Sequence, residues 1–412
     1  MASYKKIEPL LEYEILIPEE IVGLNHVNKR LMIPENVIVA HFQKRLPYFE
    51  VTSGTHISLD NVVKAYNIID STATNIEIAI NSPKTQEDEG KEQERLLFEL
   101  KNRYQEEDLT LVLGAGVSID AGVLQWNTLI NSLLAEMINV KREDGTPFNG
   151  EEIDKIIEKI YGFGDSPLAL MQYVRLTFDY EDYIKIIHKV LYDKNPQGGT
   201  VLLSEIANLC KPRRKHLGVK NIITYNFDDL LERTLTLKEI EHKSIYRDID
   251  TSDVSSLNIY HVHGFLPHDL SVLVNGTRDI NLVFSEEDYH RIYRDSYCWS
   301  NIVQLNCFRE NSCLFIGCSL SDPNLRRLLD VAISGMRNET IRKSEKLPHK
   351  HYAILRKRHF QERIEGVNQQ NLDEFIKIDN SINQTYLNSL GIGVIWVEEF
   401  RDIPNTISSL LL

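Results

Sequence analysis

From residue 109 onward, short apolar runs recur along the chain, and several of them stop at a glycine or a small polar residue. They read LTLVLGAG from Leu109, NIITYN from Asn221, NIYHVH from Asn258, CLFIGCS from Cys313, HYAIL from His351 and GVIWVE from Gly393. Longer helical or irregular segments separate them. Buried strands alternating with helices predict a Rossmann-like α/β fold, a parallel sheet with helices on both faces. In such sheets ligands bind beyond the carboxyl ends of the strands, where these glycines and polar residues fall.

At 412 residues the chain exceeds one ordinary core and predicts two domains or one large domain with additions. Residues 1–84 alternate apolar runs such as EYEILI and TNIEIAI with a helical pattern, LDNVVKAYNIID, and read as a small α+β unit. Residues 85–108 are charge-dense with apolar residues only in the middle, as in an exposed linker leading into a helix. Residues 109–412 then form the main domain. No apolar run approaches the roughly 18 residues of a membrane span, and the amino terminus lacks a secretory pattern, so a cytoplasmic protein is expected. Five cysteines, odd in number and never in a C-x-x-C pair, fit reduced thiols rather than a disulfide framework or a zinc ribbon. A formal net charge of −14 gives no bulk indication of nucleic-acid binding. The basic stretches KPRRKH and LRKRHF read as solvated turns or faces.

The glycines of LVLGAGVSIDAGVLQW, residues 111–126, do not make an ordinary dinucleotide fingerprint. G-x-G-x-x-G starting at Gly114 needs glycine at 119, where Ile119 stands, and no acidic residue follows at a strand end about 20 positions on. A P-loop fails for want of G-K-[S/T]. What remains is Gly114-Ala115-Gly116-Val117-Ser118, then Ala121-Gly122, then a helix including TLINSLLAEMI. Small residues there let backbone amides approach a diphosphate, although a tight turn alone accounts for them equally.

Three further strand ends carry chemistry. In NIITYNFDDLLE the apolar run stops at Asn226, an amide that must find a partner, and Asp228 or Asp229 can cap the next helix. In NIYHVHGFLP, His261 and His263 share a face if the strand persists. A strand-end histidine near solvent suits a general base, while two histidines at i and i+2 also suit a metal; a core role is preferred for His261. In CLFIGCSLSDPNL, Gly317 and Ser319 follow the strand, with Asp322 as N-cap and Pro323 at the first helical position.

Taken in order, GAGVS with AG and a tryptophan, YNFDDLLE, HVHG and FIGCSLSDPNL resemble the sirtuin-like superfamily, in its divergent bacterial antiphage-defence branch. The resemblance runs from about residue 109 to the end and leaves the first hundred residues without a family reading. It implies that Gly114, Ala115, Gly116 and Ser118, with Gly122 closing the small-residue stretch, hold the diphosphate of NAD+. It further implies that Asn226 and Asp228 face the nicotinamide ribose and carboxamide, that His263 is the catalytic base, and that Gly317 and Ser319 contact the adenosine side.

Two departures from the deacylase pattern bear on the reaction. The four-cysteine zinc module is absent between HVHG and GCS, replaced over about 265–312 by what reads as a helical insert, and AGVLQW lacks the P-D-F-R of deacylases. No zinc is expected. The resemblance therefore implies an NAD glycohydrolase, cleaving NAD+ to nicotinamide and ADP-ribose as the toxic effector of antiphage defence, and a homo-oligomer. It also implies a HerA-like ATPase as partner, as for stand-alone members. An NAD-dependent deacylase and a non-catalytic nucleotide sensor are the alternatives.

Overall fold

The computed structural model describes residues 4–6, 16–18, 86–140, 155–156, 159, 166–212, 218–273, 276, 280–343, 347–358 and 369–411. β1 (Tyr4–Lys6) and β2 (Leu16–Pro18) pair antiparallel, β2 overlapping the run EYEILI. The helix expected over 59–70 and the run at 74–80 lie outside the described residues. The chain then forms α1 (Gln86–Gln105), β3 (Leu109–Leu113), α2 (Trp126–Val140), α3 (Pro167–Thr177), α4 (Tyr180–Tyr192) and α5 (Val201–Leu209). There follow β4 (Val219–Thr224), α6 (Leu230–Leu237), β5 (His242–Ile245), β6 (Leu257–His261), α7 (Glu286–Arg294), α8 (Trp299–Glu310) and β7 (Ser312–Ile316). The last elements are α9 (Pro323–Lys343), β8 (His351–Arg356), α10 (Gln369–Ser389), β9 (Ile392–Val397) and α11 (Ile403–Ser408).

Seven strands make one sheet in the order β5-β6-β4-β3-β7-β8-β9, and the registered pairings from β5 to β8 are all parallel. The expected Rossmann-like α/β fold is therefore the observed one. β3 is central, the chain leaving it toward β4 on one side and returning at β7 on the other, so the strand order reverses about β3. In open α/β sheets such a reversal marks where ligands bind, here beyond the carboxyl ends of β3, β4 and β7.

Both faces of the sheet are covered, which is why its strands read as continuous apolar runs. Leu109, Leu111 and Leu113 of β3 enter a core with Leu96 and Leu100 of α1, Ile130 of α2 and Ile206 of α5. On the alternate face Thr110 accepts a hydrogen bond from Asn311 Nδ2 (3.0 Å), and Phe315 of β7 meets Phe308 of α8 with ring centroids 6.1 Å apart. Residues 85–108, charged as they are, carry the buried stripe Leu96, Leu100, Tyr104 at helical spacing, so most of this stretch is a packed helix. The segment expected as a helical insert contains α7 and α8.

Local chemistry fixes the helix starts. Ser166, Asp179 and Thr200 accept from backbone amides three residues on, opening α3, α4 and α5. Asp322 Oδ1 accepts from Leu325 N at 2.7 Å, with Pro323 first in α9, as the sequence predicts. By contact the chain divides into residues Met1–Gln93 with Lys357–Gly393, and Glu94–Arg356 with Val394–Leu412. The site described next lies wholly in the second unit.

Candidate active site

Register places the motifs level with one another. Leu113 pairs with Thr224 on one side and Ile316 on the other, and Thr224 pairs with His261. The next residues extend the ladder by one bond each: Gly114 N to Ile316 O (3.1 Å), Tyr225 N to Leu113 O (3.0 Å) and Val262 N to Thr224 O (3.2 Å). Four sequence-distant segments thus end at one edge of the sheet.

The glycine turn does not open a long helix. Gly114 leads into two successive 3-10 turns, Ala115–Val117 and Ile119–Ala121, and Gly122 ends the second. Gly116 N donates to Gly317 O at 3.0 Å, so the turn after β3 lies directly against the turn after β7. A Cβ on Gly116 would stand 2.7 Å from Gly317 Cα, and one on Gly317 2.6 Å from Val117 N. These glycines are required by backbone packing on each other, whatever else they contact. The amides of Gly114, Gly116, Val117 and Ser118 all donate to protein carbonyls. Among the described residues the amide of Ala115, an exposed residue, has no protein acceptor.

Ser118 is buried, and its hydroxyl joins the second motif. It accepts from Asn226 Nδ2 (3.0 Å) and donates to Asp228 Oδ1 (3.2 Å), the same oxygen that takes Leu230 N (3.2 Å) at the start of α6. The structure therefore places Ser118 between two candidate site residues, where the family resemblance implies a place on the diphosphate. This chain of donors also fixes the Asn226 amide: with Nδ2 on Ser118, Oδ1 remains as a buried acceptor without a protein donor. Asp228 Oδ2 likewise has no protein donor among the described residues. The strand end thus presents two oriented acceptor atoms, Asn226 Oδ1 and Asp228 Oδ2.

Asp228 is held at a cost. Burial, helped by the Glu232 and Asp229 charges, outweighs the Leu230 and Ser118 hydrogen bonds and pushes its pKa up to about 6. A carboxyl whose folded pKa is raised favours the fold below its unfolded pKa and loses that contribution as pH rises through about 6. Asp228→Asn keeps the acceptor toward Ser118 and Leu230 without the charge. Its expected effect is a gain of about 1–3 kcal/mol in unfolding free energy at pH 8, vanishing below pH about 4. Urea unfolding at the two pH values checks this, and a loss of stability at pH 8 would refute it.

The two histidines part company, because β6 ends at His261 and the chain turns, Gly264 N donating to His261 O (3.0 Å). His261 is buried with both ring nitrogens on acceptors, Nε2 2.6 Å from Glu232 Oε1 and Nδ1 3.2 Å from Asn226 O. This is the structural role preferred for it, and it ties the end of β4 to α6. Burial alone would raise the Glu232 pKa, but the His261 ring and Ser244 outweigh it and leave the carboxyl below its ordinary range. Neither histidine joins a metal cluster, for no group of three His, Cys, Asp or Glu able to hold a metal occurs among the described residues.

His263 is buried rather than near solvent. Its ring stands edge-on to Tyr225 (centroids 4.7 Å) and Tyr289 (5.8 Å), with Nε2 4.0 Å from Asp322 Oδ2. Burial lowers its pKa despite the Asp322 and Asp288 charges, so the ring is neutral and able to accept a proton at neutral pH. Tyr289 donates to Asp322 Oδ2 at 2.6 Å, and Tyr225 donates to Gln304. Ser319 is exposed, its Oγ 2.5 Å from Ser321 Oγ, and it is not drawn into the Asn226–Ser118–Asp228 chain.

Asp322, Tyr289 and Tyr225 are neighbours that sequence reasoning missed as site residues. Asp322 is legible only as a helix cap, and Tyr289 lies 26 positions beyond His263 with nothing local to mark it. Tyr225 had one available signal, a polar aromatic between a buried strand and Asn226.

A doubly wound α/β domain with a buried histidine and fixed acceptor atoms at its strand switch has the arrangement expected of a Rossmann-type small-molecule site. Residues 220–379 match the family model described as the SIR2-like domain. That span includes Asn226, Asp228, His263, Gly317 and Ser319 and supports a sirtuin-like, NAD-dependent reading in general; Gly114–Ser118 precede it. No curated protein matches the chain.

Proposed function

We propose that the protein is an NAD glycohydrolase, cleaving NAD+ to nicotinamide and ADP-ribose. The observation that carries this reading is the pair of acceptors fixed by Ser118, Asn226 Oδ1 and Asp228 Oδ2, at the same sheet edge as the neutral base His263. The glycosidic C–N bond breaks with its electron pair leaving on nicotinamide, and positive charge develops on the ribose. Asp228 Oδ2 takes a carboxamide N–H and orients the leaving group. Asn226 Oδ1 accepts from a ribose hydroxyl or from the attacking water. Water adds to the ribose carbon as its proton passes to a ring nitrogen of His263. The diphosphate rests on the outer side of the glycine turn at the Ala115 amide, with Gly317 and Ser319 toward the adenosine. The glycines act here through the shape of the turn, since most of its amides are already paired.

Purified protein incubated with NAD+ should release free nicotinamide and ADP-ribose in equal amounts, alone or with a HerA-like ATPase. Nicotinamide appearing only with an acyl-lysine peptide would replace this reading by a deacylase, and NAD+ bound but never cleaved would replace it by a sensor.

The role proposed is toxic effector of bacterial antiphage defence, working in the cytoplasm as a homo-oligomer whose activity a HerA-like ATPase controls. Residues 1–84 are assigned to assembly or sensing, residues 85–108 to the connection and residues 109–412 to catalysis. Every site residue lies after Asp108. Deleting residues 1–84 keeps α1 with its buried leucines and should leave a soluble chain that binds NAD+, with changed mass in solution or changed response to the partner. Light scattering and the nicotinamide assay read this, and unchanged mass with unchanged response would remove the role given to those residues.

A further inference from the structure

The reaction places a positive charge on His263, and the structure holds a carboxylate in wait for it. Asp322 sits at the start of α9 with each oxygen restrained separately: Oδ1 accepts from Leu325 N (2.7 Å) and Oδ2 from the Tyr289 hydroxyl (2.6 Å). Oδ2 is also the carboxylate atom facing His263 Nε2, at 4.0 Å. That separation is too long for a hydrogen bond with the neutral ring and short enough for strong attraction once the ring is charged.

The other groups around the ring do not compete for this role. Tyr225, which follows β4, presents its ring edge and donates its hydroxyl to Gln304. Asp288 of α7 already accepts from Ser285 N (2.9 Å), Ser285 Oγ (2.8 Å) and Phe284 N (3.2 Å), as the third helical residue reaching back to the N-cap Ser285 in a capping box. Tyr289 contributes its ring to His263 and its hydroxyl to Asp322.

We infer that Asp322, held by Tyr289, is the counter-ion of His263, a positioning pair that steadies the imidazolium formed when the base takes the proton of the attacking water. This rests on the reading of His263 as the base. The step balances without a further reactant: the water O–H bond breaks, the proton goes to the ring, the oxygen joins the ribose carbon, and the new cation faces an existing anion. Asp322 touches no reacting atom and acts only through His263. The sign follows from electrostatics, since a facing carboxylate favours the charged ring and its removal lowers the pH at which the ring titrates.

The test uses the full chain with histidines labelled at 13Cε1, the His263 signal assigned by its loss in His263→Gln. In Asp322→Asn the asparagine still caps α9, so the fold should persist, and Tyr289→Phe keeps the ring contact while removing the hydroxyl. The His263 midpoint should fall by about half a unit or more in Asp322→Asn and by less in Tyr289→Phe. The kcat for NAD+ cleavage should fall about 10–100-fold with KM changed by less than about 3-fold, and the acid limb of the kcat profile should move to lower pH. An unchanged or raised midpoint in folded Asp322→Asn would overturn the pairing and leave the hydrolase reading standing. A lowered midpoint in a protein that never cleaves NAD+ would keep the pairing and refute the hydrolase.

Discussion

His263→Ala should reduce NAD+ cleavage by about 10²–10⁴-fold, the range that loss of a positioned general base produces. Because His263 is buried between Tyr225 and Tyr289, the alanine also leaves a void, and some loss of stability should accompany the loss of activity. His263→Gln fills much of the same space without a comparable base. The two variants should differ in stability and agree in inactivity. Nicotinamide release together with thermal unfolding of both separates the effects, and full activity in either folded variant would remove His263 from the mechanism.

A large effect on the fold is expected at Gly317. Its φ of +67° lies in the left-handed region, and an added Cβ would meet backbone atoms of the facing turn, Val117 N at 2.6 Å and Gly116 C at 2.9 Å. Neither neighbour is a side-chain end that can swing away. Conformational strain and forced separation of the turns together put Gly317→Ala on the order of 3 kcal/mol or more below the wild type. Gly335 is the matched control: it lies in α9 with nothing within 4 Å of its Cβ position, so Gly335→Ala should gain about 0.5–1 kcal/mol. Urea midpoints decide. If Gly317→Ala kept its stability and weakened only NAD+ binding, the glycine would be serving the ligand and not the packing of the turns.

That comparison bears on what the sequence can express. The apolar runs before Gly114, Tyr225, Val262 and Gly317 announce buried strands, because a parallel strand covered on both faces has no alternation to hide it. β5, four residues reading HKSI, offers no such run and was not legible. Asn226, Asp228 and His263 stand out because polar groups at the ends of buried strands need a reason to be there. Their partners do not stand out: Ser118 is 108 positions from Asn226, and Tyr289 is 33 from Asp322. These contacts are made by the sheet order and by the packing of α7 and α9, which no local pattern encodes. The glycine turn shows the converse difficulty. Its composition suits a phosphate, yet the immediate neighbour of its glycines is another glycine turn, brought there by a strand some 200 residues away.

The level ends of β3, β4, β6 and β7 make the site's geometry independent of how much chain lies between its parts. The candidate residues Asn226, Asp228, His263 and Gly317 are each located by counting along their own strand from a shared ladder. Lengthening a surface connection on the way from one strand to the next leaves every count unchanged. Removing one residue inside a strand shifts that strand's contribution by about 3.3 Å and turns its side chains to the opposite face of the sheet. Crossover segments such as the one holding α7 and α8 can therefore be exchanged or enlarged as units over evolutionary time, provided the contacts they make with the site are kept, while the few residues from each ladder to its strand end admit substitution but not insertion.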